Sequence, residues 1–120
     1  MLNRIGLITI VTRNIDDMKK FYTNVLEFNC IEELEGYMEF ESKGVRFAIT
    51  TDDVMYEATN HPSYKEEKKG QRLELAFPLP TPESVSPAYD KIIQKGAIPV
   101  SPPVMMPWGR IHKSVVYADV

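Results

Sequence analysis

The sequence predicts an α+β fold in which one strand–helix–strand–strand–strand module occurs twice. Three observations carry this expectation. Two stretches with apolar residues at helical spacing each follow a strand-like run and precede short extended segments. The passage Phe21-Tyr22-Thr23-Asn24-Val25-Leu26 has the pattern of Ala88-Tyr89-Asp90-Lys91-Ile92-Ile93, with Tyr22 over Tyr89, and the same offset of 67 residues lays Leu7 on Glu74. Glycines fall where each module needs a turn or a helix stop, in Glu35-Gly36, Lys43-Gly44 and Gly96.

In chain order, residues 2–12 carry Ile5, Leu7, Ile8, Ile10 and Val11, a run continuous enough to predict a strand buried on both faces. Asn14 stands at a helix start with Asp17 at the third helical position, an imperfect capping box. Ile15, Met18, Phe21, Tyr22, Val25 and Leu26 then give one wide apolar helix face, ending near Glu27. Short strands follow at about 29–33, 37–41 and 45–51; the middle one alternates, Met38 and Phe40 against Tyr37, Glu39 and Glu41. Residues 53–70 read as a solvated connector with a helical turn within 54–58. The pattern restarts with a strand at 72–79, a Thr81-Pro82 helix start, a helix at 85–95 and strands at 97–100 and 110–118. Pro99, Pro102, Pro103 and Pro107 confine the earlier of these last strands to an edge or an irregular crossing. The expected organisation is a single domain over 1–120, built from modules at about 1–52 and 71–120 joined by the connector 53–70.

Composition bounds the function. Fourteen Lys and Arg against seventeen Asp and Glu give a net charge of −3. That balance argues against nucleic acid as the partner, because phosphate binding needs concentrated positive charge. Apolar runs fall short of the ~18 residues a membrane span needs, and the start does not read as a signal peptide. The single cysteine, Cys30, excludes an internal disulfide and fits a reducing cytoplasm.

Arg13-Asn14-Ile15-Asp16-Asp17-Met18-Lys19-Lys20-Phe21-Tyr22, then Pro107-Trp108-Gly109-Arg110 and the strand over 115–119, resemble the vicinal oxygen chelate superfamily: glyoxalase I, bleomycin-resistance proteins and extradiol dioxygenases. The first passage is similar to that family's Asp-Leu opening of a helix that ends in Phe-Tyr, the second to its Trp-Gly turn. The resemblance implies paired βαβββ modules forming curved mixed sheets around a cleft. The sequence departs from the pattern at Leu26-Glu27-Phe28, where the family has Leu-Gly-Phe. It also departs at Asp119-Val120, beyond which the family adds a turn and a last strand, so the second module is expected to lack that strand.

Metal-dependent members hold one divalent ion through His or Glu on the first and last strand of each module. The resemblance places those positions on Leu7, Ala48 and Glu74, the fourth falling past Val120. Leu7 and Ala48 cannot ligate; Glu74 can, or it pairs with Arg72 or Arg46. No resident metal or other cofactor is therefore expected, and a divalent metal enters only under the alternative below. His112 is a candidate proton donor or acceptor, with Trp108, Arg110 and Ser114 on its parity; His61, before Pro62, reads as an exposed loop residue. Tyr37, Arg46, Glu74, Met106, Trp108 and His112 are the candidate ligand-binding residues, Glu74 and His112 the candidate catalytic ones. Met38, Phe40, Phe47 and Met105 divide between that lining and ordinary core. The expected function is the binding of a small organic ligand in an apolar cleft without the usual metal, by a homodimer. The alternatives are a metal-dependent lyase, isomerase or dioxygenase of the same superfamily, and a protein-interaction module.

Overall fold

The computed structural model describes residues 2–67, 73, 75–105 and 111–116, the strand residues from 100 onward as backbone. The chain forms two compact units, one ending at Glu66 and the other beginning at Glu67. Its fold is mixed α+β. The first unit runs β1 (Leu7–Thr12), α1 (Ile15–Lys20), a π-helical turn (Phe21–Val25), β2 (Cys30–Leu34), β3 (Tyr37–Phe40), β4 (Arg46–Thr51), α2 (Asp52–Thr59) and a 3-10 turn (Pro62–Lys65). The second, after a 3-10 turn at Pro82–Ser84, has α3 (Val85–Gln94), β5 (Ile98–Met105) and β6 (Ile111–Val116).

In the first unit the strands lie in the order β1-β4-β3-β2. β1 runs parallel to β4, and the other two ladders are antiparallel, giving an open mixed sheet. The ladder pairs Met38 with Ile49 and Phe40 with Phe47 on one face, and Tyr37 with Thr50 and Glu39 with Ala48 on the other. The first helix covers the former face. Met18, Phe21 and Tyr22 are buried there with Met38, Phe40, Phe47 and Ile49. Tyr22 meets the Phe47 and Phe40 rings at centroid distances of 5.1 and 5.5 Å. Burial pushes the Tyr22 phenol up to about 12.

The helix faces are buried to different depths. Met18 and Phe21 are buried, whereas Val25, Val85, Ile92 and Ile93 are half-buried. The first strand differs more. It is shorter than 2–12, and of its residues only Thr12 is buried. β1 is an outer strand of the sheet, so its apolar run is covered on fewer sides than a central strand's would be. Asn14 does sit at the start of α1, but its side-chain amide donates to Asp17 Oδ2 (2.8 Å) and makes no hydrogen bond to the helix backbone.

The helix widens into a π turn at its end. The Leu26 amide donates to Phe21 O (3.0 Å) and the Phe28 amide to Tyr22 O (2.9 Å), while Glu27 takes a left-handed φ of 62°. That conformation is the one the family's Leu-Gly-Phe glycine would adopt freely. A non-glycine residue there costs about 1–2 kcal/mol, and glycine loses more freedom on folding. Glu27→Gly should therefore stabilise the chain by about 0.5–1 kcal/mol in urea denaturation; a loss of stability would show that the Glu27 side chain contributes more than its backbone costs.

Residues 53–66 are more ordered than a connector with one helical turn. They belong to the first unit, as α2 and the 3-10 turn. Their order comes from capping: Thr51 Oγ1 accepts from the Val54 amide (3.1 Å), Asp52 and Asp53 fill the first turn, and Asn60 closes the helix at φ 54°. Arg13 then ties the β1–α1 turn to this helix through Nε to Asp52 Oδ2 (2.8 Å). Apolar periodicity is weak here, which is why the pattern of residues reads as a connector.

In the second unit β5 and β6 form an antiparallel pair on which α3 packs. Register shifts fall between Pro99 and Ser101 and between Ser101 and Val104, where prolines interrupt the ladder as expected. Leu73 and residues 75–79, expected as a strand, are not in one. In the first unit the opening strand is held by the module's fourth strand, β4. The described residues of the second unit supply β5 and β6 only, so this segment has no such ladder among them.

Candidate functional site

The sheet of the first unit leaves its second face without α1. Alternation places Arg46, Ala48 and Thr50 of β4, Tyr37 and Glu39 of β3, Glu32 and Leu34 of β2, and Leu7 and Thr9 of β1 on it. The ladder sets Leu7 opposite Arg46, and Thr9 and Glu39 on either side of Ala48. The two positions that the resemblance assigns to metal ligands, Leu7 and Ala48, thus share this face on neighbouring strands.

A charged cluster stands beside them. Arg46 donates from Nε to Glu39 Oε2 (2.9 Å) and from Nη2 to Glu39 Oε1 (2.7 Å), a two-bond fork. The Tyr37 hydroxyl donates to Glu39 Oε1 (3.0 Å). The Glu39 side chain is 5% exposed and that of Arg46 64% exposed. A buried carboxylate is stable only with such donors around it, and here three converge on its two oxygens. The Arg46 hydrogen bonds hold the Glu39 carboxyl below the usual carboxylate range, against the opposing effect of burial. Desolvation, and then the hydrogen bond to Glu39, raises the Tyr37 phenol.

These shifts have a pH consequence. Because the folded-state value of Glu39 lies below its ordinary 4.5, the cluster contributes stability above that pH and loses it as pH falls through the folded value. The melting temperature of the native chain should therefore drop more steeply between about pH 5 and pH 3 than that of Glu39→Gln. Parallel curves for the two proteins would remove Glu39 from the acid response.

Of the residues expected at the site, Tyr37 and Arg46 are brought together, 2.7–3.0 Å from a shared carboxylate. Glu74, Met106 and Trp108 lie outside the described residues. His112 stands in β6 opposite Val104. His61 is an exposed residue, as expected, and starts the 3-10 turn by accepting from the Ser63 amide (3.2 Å). Phe40 and Phe47 belong to the core under α1. Glu39 is the residue that sequence reasoning missed. Its alternation with Tyr37 and Glu41 assigns it a face and not a burial, and the signal was Arg46, placed on the same face by the β3–β4 hairpin.

Leu7 and Ala48 offer hydrocarbon where a divalent ion needs nitrogen or oxygen donors. Among the described residues no three His, Cys, Asp or Glu side chains lie together to hold a metal ion. The two first-unit positions do not fit the family's metal. Separately, a recess of about 410 Å³ at the carboxyl ends of β1 and β4 is lined by Thr12, Arg13, Thr51, Asp52, Tyr64 and Lys65. Its cations are engaged, Arg13 by Asp52 and Lys65 over the Tyr56 ring at 4.1 Å, so it reads as a clamp on α2.

An open mixed sheet with a helix packed on one face is the fold of a known group of proteins. The sequence model of the Glyoxalase/Bleomycin resistance protein/Dioxygenase superfamily matches residues 4–114, and the chain belongs to that superfamily. A glyoxalase/bleomycin resistance protein/dioxygenase from Nocardioides is similar at 28% identity and a TM-score of 0.80, covering 90% of this chain and 72% of its own. A glyoxalase-related enzyme from Fulvimarina pelagi shares the fold at a TM-score of 0.83 and 15% identity, over 98% of this chain and 83% of its own. A family enzyme from Burkholderia phytofirmans PsJN does so at 0.76 and 22% identity, over 89% and 84%. No curated protein matches the chain. Among the described residues no helix is long and apolar enough to cross a membrane.

Proposed function

We propose that this chain is a member of the superfamily that binds a small organic molecule on the face of its first-unit sheet that α1 leaves uncovered, without a metal held by Leu7 and Ala48. The observation that carries this reading is the pairing on one face of two hydrocarbon side chains at the ligand positions with a built polar cluster, Glu39, Arg46 and Tyr37. A buried carboxylate with three hydrogen-bond donors that orients an exposed guanidinium is an arrangement suited to recognition. Aromatic and aliphatic side chains at the margins, Tyr37, Leu7 and Leu34, supply contact for an apolar body.

The metal half of the proposal is tested by calorimetric titration with Ni²⁺, Zn²⁺ and Mn²⁺. The expected result is no stoichiometric binding and no rise in melting temperature. Tight one-to-one binding would instead support the metal-dependent lyase, isomerase or dioxygenase reading. A thermal-shift screen of small organic molecules separates ligand binding from a protein-interaction role.

The chain is further proposed to act as a homodimer in a reducing, cytoplasmic setting. Support comes from exposed apolar side chains at both outer strands of the first unit, Ile5 and Leu7 at one and Ile31 and Leu34 at the other, and from the single, exposed cysteine. Light scattering should give about twice the 13.7 kDa chain mass; a monomer at micromolar concentration would remove the dimer from the account.

A further inference from the structure

We propose that Arg46 is an anion receptor, and that the ligand class of this face is small organic acids with an apolar body. The inference rests on the reading that the face α1 leaves uncovered is the ligand site, and it adds the charge of the ligand.

The geometry of the guanidinium is the starting point. Arginine carries five N–H donors in a planar fork. Glu39 takes the side-on pair, one from Nε and one from Nη2. The end-on pair, from Nη1 and the second Nη2 hydrogen, makes no hydrogen bond among the described residues, and the side chain is 64% exposed. An end-on pair matches the spacing of two carboxylate oxygens. Glu39 is itself fixed from a third direction by the Tyr37 hydroxyl and is buried, so the guanidinium is held in place before any ligand arrives. Ordering the long side chain is thus already accomplished, which is the usual way a surface arginine gains affinity.

The surroundings set the rest of the ligand. Leu7, opposite Arg46 in the β1–β4 ladder, is 43% exposed and offers hydrocarbon contact beside the cation. Glu32, the ladder partner of Glu39 on the same face, is exposed, and its charge reaches Arg46. It opposes an anion and favours a cation. Charge selectivity is therefore the property that decides the proposal, and Glu32 makes it adjustable.

The test uses the full-length chain labelled with ¹⁵N, following the Arg46 Nε–Hε resonance and the amides of Tyr37, Arg46 and Ala48. Three probes of one shape are titrated: benzoate, benzylammonium and benzyl alcohol. Benzoate is expected to move these signals saturably and to bind about tenfold more tightly than either of the others. Its affinity should fall with added salt. Glu32→Gln should tighten benzoate by about threefold by removing a like charge. Arg46→Gln should lose about tenfold, with Arg46→Lys between it and the native chain because it keeps charge but not the fork. Arg46 lies on the surface, and should Arg46→Gln lose its fold, the Arg46→Lys series decides alone. Glu39 acts as a positioning residue, so Glu39→Gln should broaden the Arg46 Nε–Hε signal as well as weaken benzoate.

Benzylammonium binding as tightly as benzoate, or benzoate binding unchanged in both Arg46 variants, would overturn the proposal. Benzyl alcohol matching benzoate at these residues would overturn the anion assignment and leave the ligand face standing. No response at these residues to any probe would overturn both.

Discussion

Truncating Phe40 to alanine should lower the stability of the chain by about 3–5 kcal/mol. Phe40 is 1% exposed. Its ring lies 5.5 Å from those of Tyr22 and Phe47 and 5.7 Å from that of Phe28, so it joins β3 to three separate backbone segments. Removing it deletes buried hydrocarbon and leaves a space that neighbours on a helix, a loop and a strand cannot fill together. Phe21→Ala, at 7% exposure on the helix face that covers this strand, should fall within the same range. Leu34→Ala, on the outer strand β2 and 57% exposed, should cost under about 0.5 kcal/mol. Urea denaturation of the three variants checks this ordering; a loss below about 1 kcal/mol for Phe40→Ala would mean that the ring cluster does not form the core.

The second large effect is expected at the β2–β3 hairpin. Gly36 has φ +70°, and a Cβ built there would meet Val54 Cγ2 at 3.0 Å and Thr51 Oγ1 at 3.2 Å. Its carbonyl accepts from the Thr51 amide (3.1 Å) and from Thr50 Oγ1 (3.1 Å). The turn is thus packed against the end of β4 and the start of α2, and the Thr51 hydroxyl it would displace is the cap of that helix. Gly36→Ala should cost about 1–3 kcal/mol, the sum of a left-handed backbone and a tight contact. Gly44 is the control. Its φ is +89° with nothing within 4 Å of a built Cβ, so Gly44→Ala should pay the backbone cost alone. Equal losses at the two glycines would show that the Gly36 contact relaxes freely.

Much of the first unit was legible in the sequence, for physical reasons that can be named. Met18, Phe21 and Tyr22 announced the helix face because only a core-facing helix repeats apolar residues at that spacing. Gly36 and Gly44 marked turns because each takes a positive φ. The alternation in 37–41 gave the two faces of β3 correctly. Of helix α2 only a turn within 54–58 was read, because its order comes from the Thr51 cap and the Asp52–Arg13 contact, made 39 residues apart, and not from a periodic apolar face. The burial of β1 was overestimated because composition cannot say whether a strand is central or outer. The segment 75–79 read as a strand from its residues alone, although a strand also needs a partner ladder.

The candidate site was half legible. Tyr37 and Arg46 could be chosen from residue type and strand position, and they do meet. Glu39, which joins them, looked like surface charge until the hairpin register brought Arg46 over it. A carboxylate in an alternating strand carries no mark of burial; only the cross-strand neighbour supplies one.

The central claim is that the sheet face carrying Tyr37, Glu39 and Arg46, opposite α1, is the ligand face and that Leu7 and Ala48 hold no metal there. Amide chemical-shift mapping on the full-length labelled chain tests it most directly, with a library of small organic fragments and then with Zn²⁺ and Ni²⁺. The account predicts fragment-induced shifts gathered on Tyr37, Arg46 and Ala48, and no saturable shifts there with either metal ion. Saturable metal shifts at Leu7 and Ala48, or fragment shifts gathered elsewhere with these residues silent, would contradict it.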